Sequence, residues 1–382
     1  AGLAISMRAC YPRKPRLIGE YQQLGLFRAN IPPSDDGTIH TYAQVVYPAQ
    51  QGPVIAPREV YFRPEVRNAL ISEMGLPSFL VQGTTGLWRR APDLALPPKQ
   101  DPKGQGWPVV LFSHGLWGAC EMYTQLMREV ASLGAIVISL EHADGSAVYA
   151  TDPVSGGQRK PLRQPLSNPT REEEWRFRLP MLERRAQEVR QAVQALRALQ
   201  KEASKDTTDP LRLAISHADM DQLYLAGHSF GGSSTIFVAQ QPEDLNVKGL
   251  ILLDPWIGAL DPNMTSKGLT LPHITMISGE WSAGKGGTLA REFTKATPPE
   301  LNFGAYSVEG TYHQWIAETA YSLPAWLLRP IRVVGPASPM EAHRATYWAL
   351  RDGLSDMGGP AMPDVCGASP GARPRLLKPL FS

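Results

Sequence analysis

From about residue 107 onward, the apolar positions fall into short unbroken runs separated by stretches of helical spacing. The runs are 109–113 (VVLFS), 135–140 (AIVISL), 222–226 (QLYLA), 249–253 (GLILL), 274–278 (ITMIS) and 305–308 (AYSV). Runs of four to six residues without polar alternation predict strands buried on both faces. Between them, Met122, Leu126, Met127, Val130 and Leu133 recur at helical spacing over 120–133, and 230–241 reads as a helix of small residues. A charged helical stretch covers 171–203, with Pro180 expected to break its first part. Over 181–199, Leu182, Val189, Val193, Leu196 and Leu199 share one face and charges fill the other, the mark of a partly solvated covering helix. Ser338-Pro339-Met340-Glu341 carries a capping residue, a first-turn proline and the reciprocal glutamate, and opens a last helix to about Leu354. Alternating strands and helices predict an α/β chain: a mostly parallel sheet covered by helices on both faces, with functional groups at the carboxyl ends of the strands.

Composition narrows the class. Of 382 residues 43% are hydrophobic, enough for one sizeable core, and 19% are charged, with a net charge of +2. Lys and Arg are scattered rather than gathered in a stripe, which argues against nucleic acid as a partner. Cys10, Cys120 and Cys366 lie far apart, with no metal-ligand spacing and no paired framework, so free thiols are expected. No run reaches the roughly 18 apolar residues of a membrane-crossing helix. The first residue is Ala1, so an upstream leader or lipidation signal stays open. A cytoplasmic or peripheral-membrane location is expected, with secretion the other option. The 35 prolines and 34 glycines concentrate in 32–56, 92–108, 152–169 and 358–379. The expected layout is a single domain over 1–382, with an N-terminal extension to about 105 and a loose tail from about 356 to 382.

One motif carries chemistry. Gly227-His228-Ser229-Phe230-Gly231-Gly232 sits between a strand (LYLA) and a helix (SSTIFVAQ), which is the context of a nucleophile elbow. The turn is so tight that the residues two before and two after the serine must lack side chains. It lifts the Ser229 hydroxyl above the sheet, at the positive end of the following helix. The α/β-hydrolase fold and a serine nucleophile follow. A serine needs a base, and the base needs an orienting acid; in this fold they come later in the chain, acid before base. His273 precedes a strand, at the wrong end of the sheet, and His343 lies within the last helix. His313, in the loop after AYSV, is the better base. For the acid, Asp254 and Glu280 each end a strand, and the pattern leaves both open. The oxyanion donors expected are the backbone N–H of Phe230 and one from His114-Gly115-Leu116-Trp117, with His114 and His228 as structural neighbours. No His or Cys cluster suggests a metal or other cofactor.

FSHGL (112–116), SLEHADGSA (139–147), AGHSFGG (226–232), LLDPW (252–256), ISGE (277–280) and GTYHQW (310–315) resemble, in order and nearly in form, the platelet-activating factor acetylhydrolases of the plasma and intracellular type II group. The likeness runs from about residue 25 (GLFRANIP) to about 355. It implies Ser229 as nucleophile, Asp254 rather than Glu280 as acid, His313 as base, and the amides of Leu116 and Phe230 as oxyanion donors. The implied activity is calcium-independent removal of a short or oxidised sn-2 acyl chain from a phospholipid. Trp117 stands where relatives usually have a small residue, which would reshape the acyl pocket. Trp315 replaces the usual Asn after Gln314, and 150–170 matches poorly. In relatives the region of 69–90 helps meet lipid surfaces, implying a peripheral contact with membrane or lipid; a helix packed on the core is the other reading. Two further functions compete: a general short-chain carboxylesterase or polyester hydrolase sharing the triad, and an inactive lipid-binding protein. Loss of Ser229, Asp254 or His313 would mark the last, and all three are present.

Overall fold

All six predicted runs become strands, and three more join them. The computed structural model describes residues 17–73, 90–151, 162–163, 165–202, 207–242, 245–322, 325–358 and 374–380. The strands are β1 (Leu24–Ile31), β2 (Thr41–Pro48), β3 (Trp107–Ser113), β4 (Ile136–Leu140), β5 (Ala218–His228), β6 (Val247–Leu253), β7 (His273–Ser278), β8 (Asn302–Val308) and β9 (Leu377–Pro379). They form one sheet in the order β1-β2-β4-β3-β5-β6-β7-β8-β9. The six from β4 to β8 are parallel, while β1, β2 and β9 attach antiparallel at the edges.

Among the helices are α1 (Pro64–Glu73), α2 (Thr124–Ser132), α3 (Arg171–Lys201), α4 (Phe230–Ala239), α5 (Gly279–Ala283) and α6 (Pro339–Asp356); a further 12-residue helix spans Lys285–Ala296, and shorter helical turns lie between them. Because side chains alternate along a strand, β3 feeds two cores. Val109 and Leu111 join Leu182, Val189, Val193 and Leu196 of α3. Val110 and Phe112 meet Met127 and Val130 of α2 and Ala345 and Leu350 of α6 on the other face. A sheet buried on both sides explains why the parallel strands read as continuous apolar runs.

Four local expectations change. Pro180 does not break α3, which runs unbroken from Arg171 to Lys201. A proline removes the donor to the carbonyl four residues back, here that of Arg176, an exposed residue of the helix's outer side. Nor is the polar side of α3 simply solvated, since Glu174, Arg178, Arg185 and Glu188 are buried. Ser338 makes no side-chain cap bond; the reciprocal capping box forms at Thr170 and Glu173 instead. Within the stretch expected to be a loose tail, Leu377–Pro379 pairs with β8, too short to show a period. Of 69–90, residues 69–73 belong to α1 and 74–89 lie outside the described residues, as do Cys10, Cys366 and most of 150–170. Cys120 is a buried free thiol. No helix among the described residues is long and apolar enough to cross a membrane.

Candidate active site

The carboxyl ends of β5, β6, β7 and β8 converge on one point. Ser229 follows β5 with φ 56° and ψ −119°, a conformation that costs a non-glycine residue roughly 1–3 kcal/mol. The surrounding backbone holds it there: Ser229 N–H donates to Leu253 O (3.0 Å), and Ser229 O accepts from Trp256 N–H (3.0 Å) and Ser233 N–H (3.2 Å). Gly227 and Gly231 are the residues the turn demands. A side chain at Gly231 would overlap Ser113 O, and one at Gly227 would overlap Gly231 O.

His313 bridges the other two groups. Its Nε2 lies 2.9 Å from Ser229 Oγ and its Nδ1 lies 2.9 Å from Asp254 Oδ2. Asp254 is fully buried, also at positive φ (43°), and accepts Ser278 N–H at Oδ1 (2.6 Å) and Ser278 Oγ–H at Oδ2 (2.7 Å). Those bonds satisfy a buried carboxylate and aim its remaining lone pair at the imidazole. Glu280, the other contender for the acid, takes the main-chain N–H of His313 at Oε2 (3.3 Å) and Arg332 Nη2 at Oε1 (2.7 Å). It holds the loop, not the imidazole nitrogen.

Both expected oxyanion donors are free. In the loop after β3, Gly115 N–H donates to Tyr123 Oη, Trp117 N–H to Ser146 O and Gly118 N–H to Gly115 O. Among the described residues, the amides of Leu116 and of Phe230, the first residue of α4, donate to no protein acceptor. Trp117 itself has φ 59°, and the Arg163 guanidinium lies over its indole at 4.4 Å. Three of the left-handed non-glycine residues (Trp117, Ser229 and Asp254) thus sit at this one place. Strain gathered in this way is a mark of a functional site.

Sequence reasoning missed what lies beneath. Arg185 of α3 is completely buried; it donates to Asp144 Oδ2 (2.8 Å), Ser146 Oγ (2.5 Å), His114 O (2.7 Å) and Ser234 Oγ (3.3 Å), and its guanidinium covers the Phe230 ring. One side chain therefore ties the loop after β3, the loop after β4 and the start of α4 together. Beside it, His142 Nδ1 lies 2.8 Å from Glu188 Oε2 and its Nε2 lies 3.0 Å from Ser113 Oγ. Burial, helped by the Asp144 charge, pushes Glu188 up to about 8. Burial and Arg185 hold His142 well below the usual histidine range, so its imidazole is neutral, while Glu188 Oε1 also meets Arg184 Nε (3.1 Å). The only hint in the sequence was the polar cluster EHADGS directly after a buried strand.

His228 and His114 take structural positions. Tyr123 Oη accepts Gly115 N–H, so it donates to His228 Nδ1 (2.9 Å), leaving His228 Nε2–H for His313 O (2.9 Å). Burial, and then the neighbouring His313, hold His228 well below the usual range and therefore neutral. Among the described residues, His228, Asp254 and His313 are the one group whose ligand atoms (within 4.8 Å of each other) could meet a cation. Both nitrogens of each imidazole, however, are already engaged with protein partners.

Comparison with known proteins bears on this site. Residues 93–353, more than half of the chain, match the family described as Platelet-activating factor acetylhydrolase, isoform II. The chain belongs to that family. The platelet-activating factor acetylhydrolase of Cavia porcellus is 27% identical over 290 residues, covering 72% of this chain and 62% of that protein. The Bos taurus protein of the same name is 33% identical over 166 residues, 40% of this chain and 36% of its own length. The chain thus spans less than two thirds of these acetylhydrolases. A solved ferulic acid esterase from Streptomyces cinnamoneus aligns with a TM-score of 0.60 at 17% identity, covering 87% of this chain and 89% of the esterase. That likeness establishes the α/β-hydrolase fold.

Two stability outcomes follow from the buried charges. Replacing Arg185 by Met strands the Asp144 carboxylate, at an expected cost of about 3–5 kcal/mol in urea unfolding; a loss below about 1 kcal/mol would contradict the bracing role. Burial also lowers His114, and lowers His273 to about 4. On unfolding, these two and His142 and His228 take up protons that the folded state refuses. Stability therefore falls as pH drops below about 6.5, by up to about 1.4 kcal/mol per pH unit for each histidine. Glu188 works the other way, keeping a proton that the unfolded chain releases between about pH 4.5 and 8. Burial also raises Glu141, which acts with Glu188. Four groups outweigh two, so the urea midpoint should be lower at about pH 5 than at about pH 7; an equal or higher midpoint would contradict the assignment.

Proposed function

We propose that this chain is a carboxylic ester hydrolase that removes a short or oxidised sn-2 acyl chain from phospholipids by two-step acyl transfer, without calcium. The observation that carries the reading is the pair of 2.9 Å bonds from His313 to Ser229 Oγ and Asp254 Oδ2; family membership supports the substrate class. In the first step His313 Nε2 takes the Ser229 proton as the oxygen attacks the ester carbonyl, and the amides of Leu116 and Phe230 receive the developing oxyanion. Asp254 keeps the Nδ1–H tautomer and stabilises the imidazolium. The lysophospholipid alkoxide takes the proton from His313 and leaves; a water activated by the same imidazole then hydrolyses the acyl-enzyme.

The partner in this reading is a phospholipid or small ester at a lipid surface. Trp326 and Ile331, 66% and 59% exposed in the segment after the His313 loop, offer apolar side chains for such a contact. A general short-chain esterase is the second reading. It draws on Trp117, whose indole sits in the oxyanion loop under the Arg163 guanidinium, where a narrowed acyl pocket would favour simpler esters.

The test is acetate release from a 2-acetyl phosphatidylcholine in EDTA, beside a long-chain phosphatidylcholine and a p-nitrophenyl ester. Fast turnover of the acetyl lipid and slow turnover of the long-chain lipid are expected; turnover of the simple ester alone would move the protein to the general esterases. Ser229→Ala should lower kcat by about 10⁴-fold or more. Asp254→Asn should cost far more than Glu280→Gln, and equal losses would refute the acid assignment.

A further inference from the structure

The turn that follows β7 touches the triad in three ways. Ser278 holds both oxygens of Asp254, and Ser278 Oγ also accepts the main-chain N–H of Trp281 (3.2 Å). Glu280 accepts the main-chain N–H of His313. The third contact is the Trp281 indole, which stacks on the His313 imidazole with centroids 4.2 Å apart and planes 20° apart. The neutral His228 ring lies 4.5 Å from the same imidazole at 35°. Two rings that close to one imidazole cannot share a face, so His313 is held between them.

The placement of the indole is otherwise hard to explain. Its Nε1 is buried and, among the described residues, has no hydrogen-bond partner. A buried indole N–H usually finds one, because leaving it unmade is unfavourable. The chain also clears room for the ring: any side chain at Gly286 would overlap the indole. What the ring gains is its face on His313. Only 21% of the imidazole is exposed, and without a wall on that side it is free to turn about its outer torsion. A turned ring breaks the bonds to Ser229 and Asp254 together.

We propose that Trp281 is a positioning residue for the acyl-transfer reaction, fixing the His313 imidazole against His228 in the orientation that bridges Asp254 and Ser229. The inference rests on the triad reading above. The indole face also favours the imidazolium formed as the serine attacks. Trp281 makes no contact with substrate in this account, so it acts on kcat and not on KM.

The test measures kcat and KM for p-nitrophenyl acetate in Trp281→Leu and Trp281→Phe, each in the native and the His313→Ala background, with thermal unfolding as the check on folding. Trp281→Leu should lower kcat by roughly 10–100-fold, the cost of a misplaced catalytic group, with KM within about twofold. Trp281→Phe, which keeps a ring, should recover most of the loss. In the His313→Ala background Trp281→Leu should have no further effect, because both changes remove the same function. If Trp281→Leu does not fold, Trp281→Met, which keeps bulk without a ring, is read in its place. Native kcat in the ringless variant, no recovery by Phe, a rise in KM alone, or an equal loss without His313 would each overturn the proposal. Full activity of His313→Ala by itself would instead overturn the triad reading on which the proposal stands.

Discussion

The backbone of Ser229 is the constraint on which the rest of the site depends. A serine at φ 56° sits there only because its neighbours leave no alternative: Gly231 packs against Ser113 O, Gly227 against Gly231 O, and the Ser229 peptide is tied to β6 and to the residues beyond it. The same turn puts the hydroxyl at the head of α4, where the amide of Phe230 is unused. The proposed nucleophile and one proposed oxyanion donor are thus consecutive residues of a single strained turn. The other proposed donor, Leu116, lies in the loop after the neighbouring strand β3, whose end touches the elbow through Gly231.

Loops this close to a reacting centre must be rigid, and here buried charge supplies the rigidity. Arg185 reaches up from α3 to the carbonyl of His114, to Asp144 and Ser146 and to the first turn of α4, while Tyr123 and His228 join the oxyanion loop to the main chain of His313. Taking a guanidinium wholly out of water is unfavourable unless its donors are met. Four acceptors and the Phe230 face meet it. The turn after β7 plays the matching part on the acid side, holding Asp254 through Ser278 and the His313 loop through Glu280.

How much of this was legible in the sequence followed from periodicity. The six parallel strands stood out because burial on both faces leaves no polar positions, and the residues brought together around Ser229 lie at strand ends that the pattern had located. The edge strands did not. β1 carries a buried Arg28, bonded to Gln44 across the sheet, which breaks any apolar run; β9 is three residues long and ends in Pro379. The choice between Asp254 and Glu280 needed geometry, since both end strands and both touch the loop of His313. Arg185 was hidden for a general reason: on a helix rich in Arg and Glu, nothing in the spacing separates a charge facing water from one facing a loop of another element.

The central claim, the proposal that Ser229 is a nucleophile activated by His313 and Asp254, rests on their two hydrogen bonds. The most direct measurement is reaction of the full chain with a fluorophosphonate, followed by mass spectrometry of the peptides. One phosphonyl group per chain is expected, on the peptide that carries Ser229. An unmodified chain, or a label on any other residue, would contradict it.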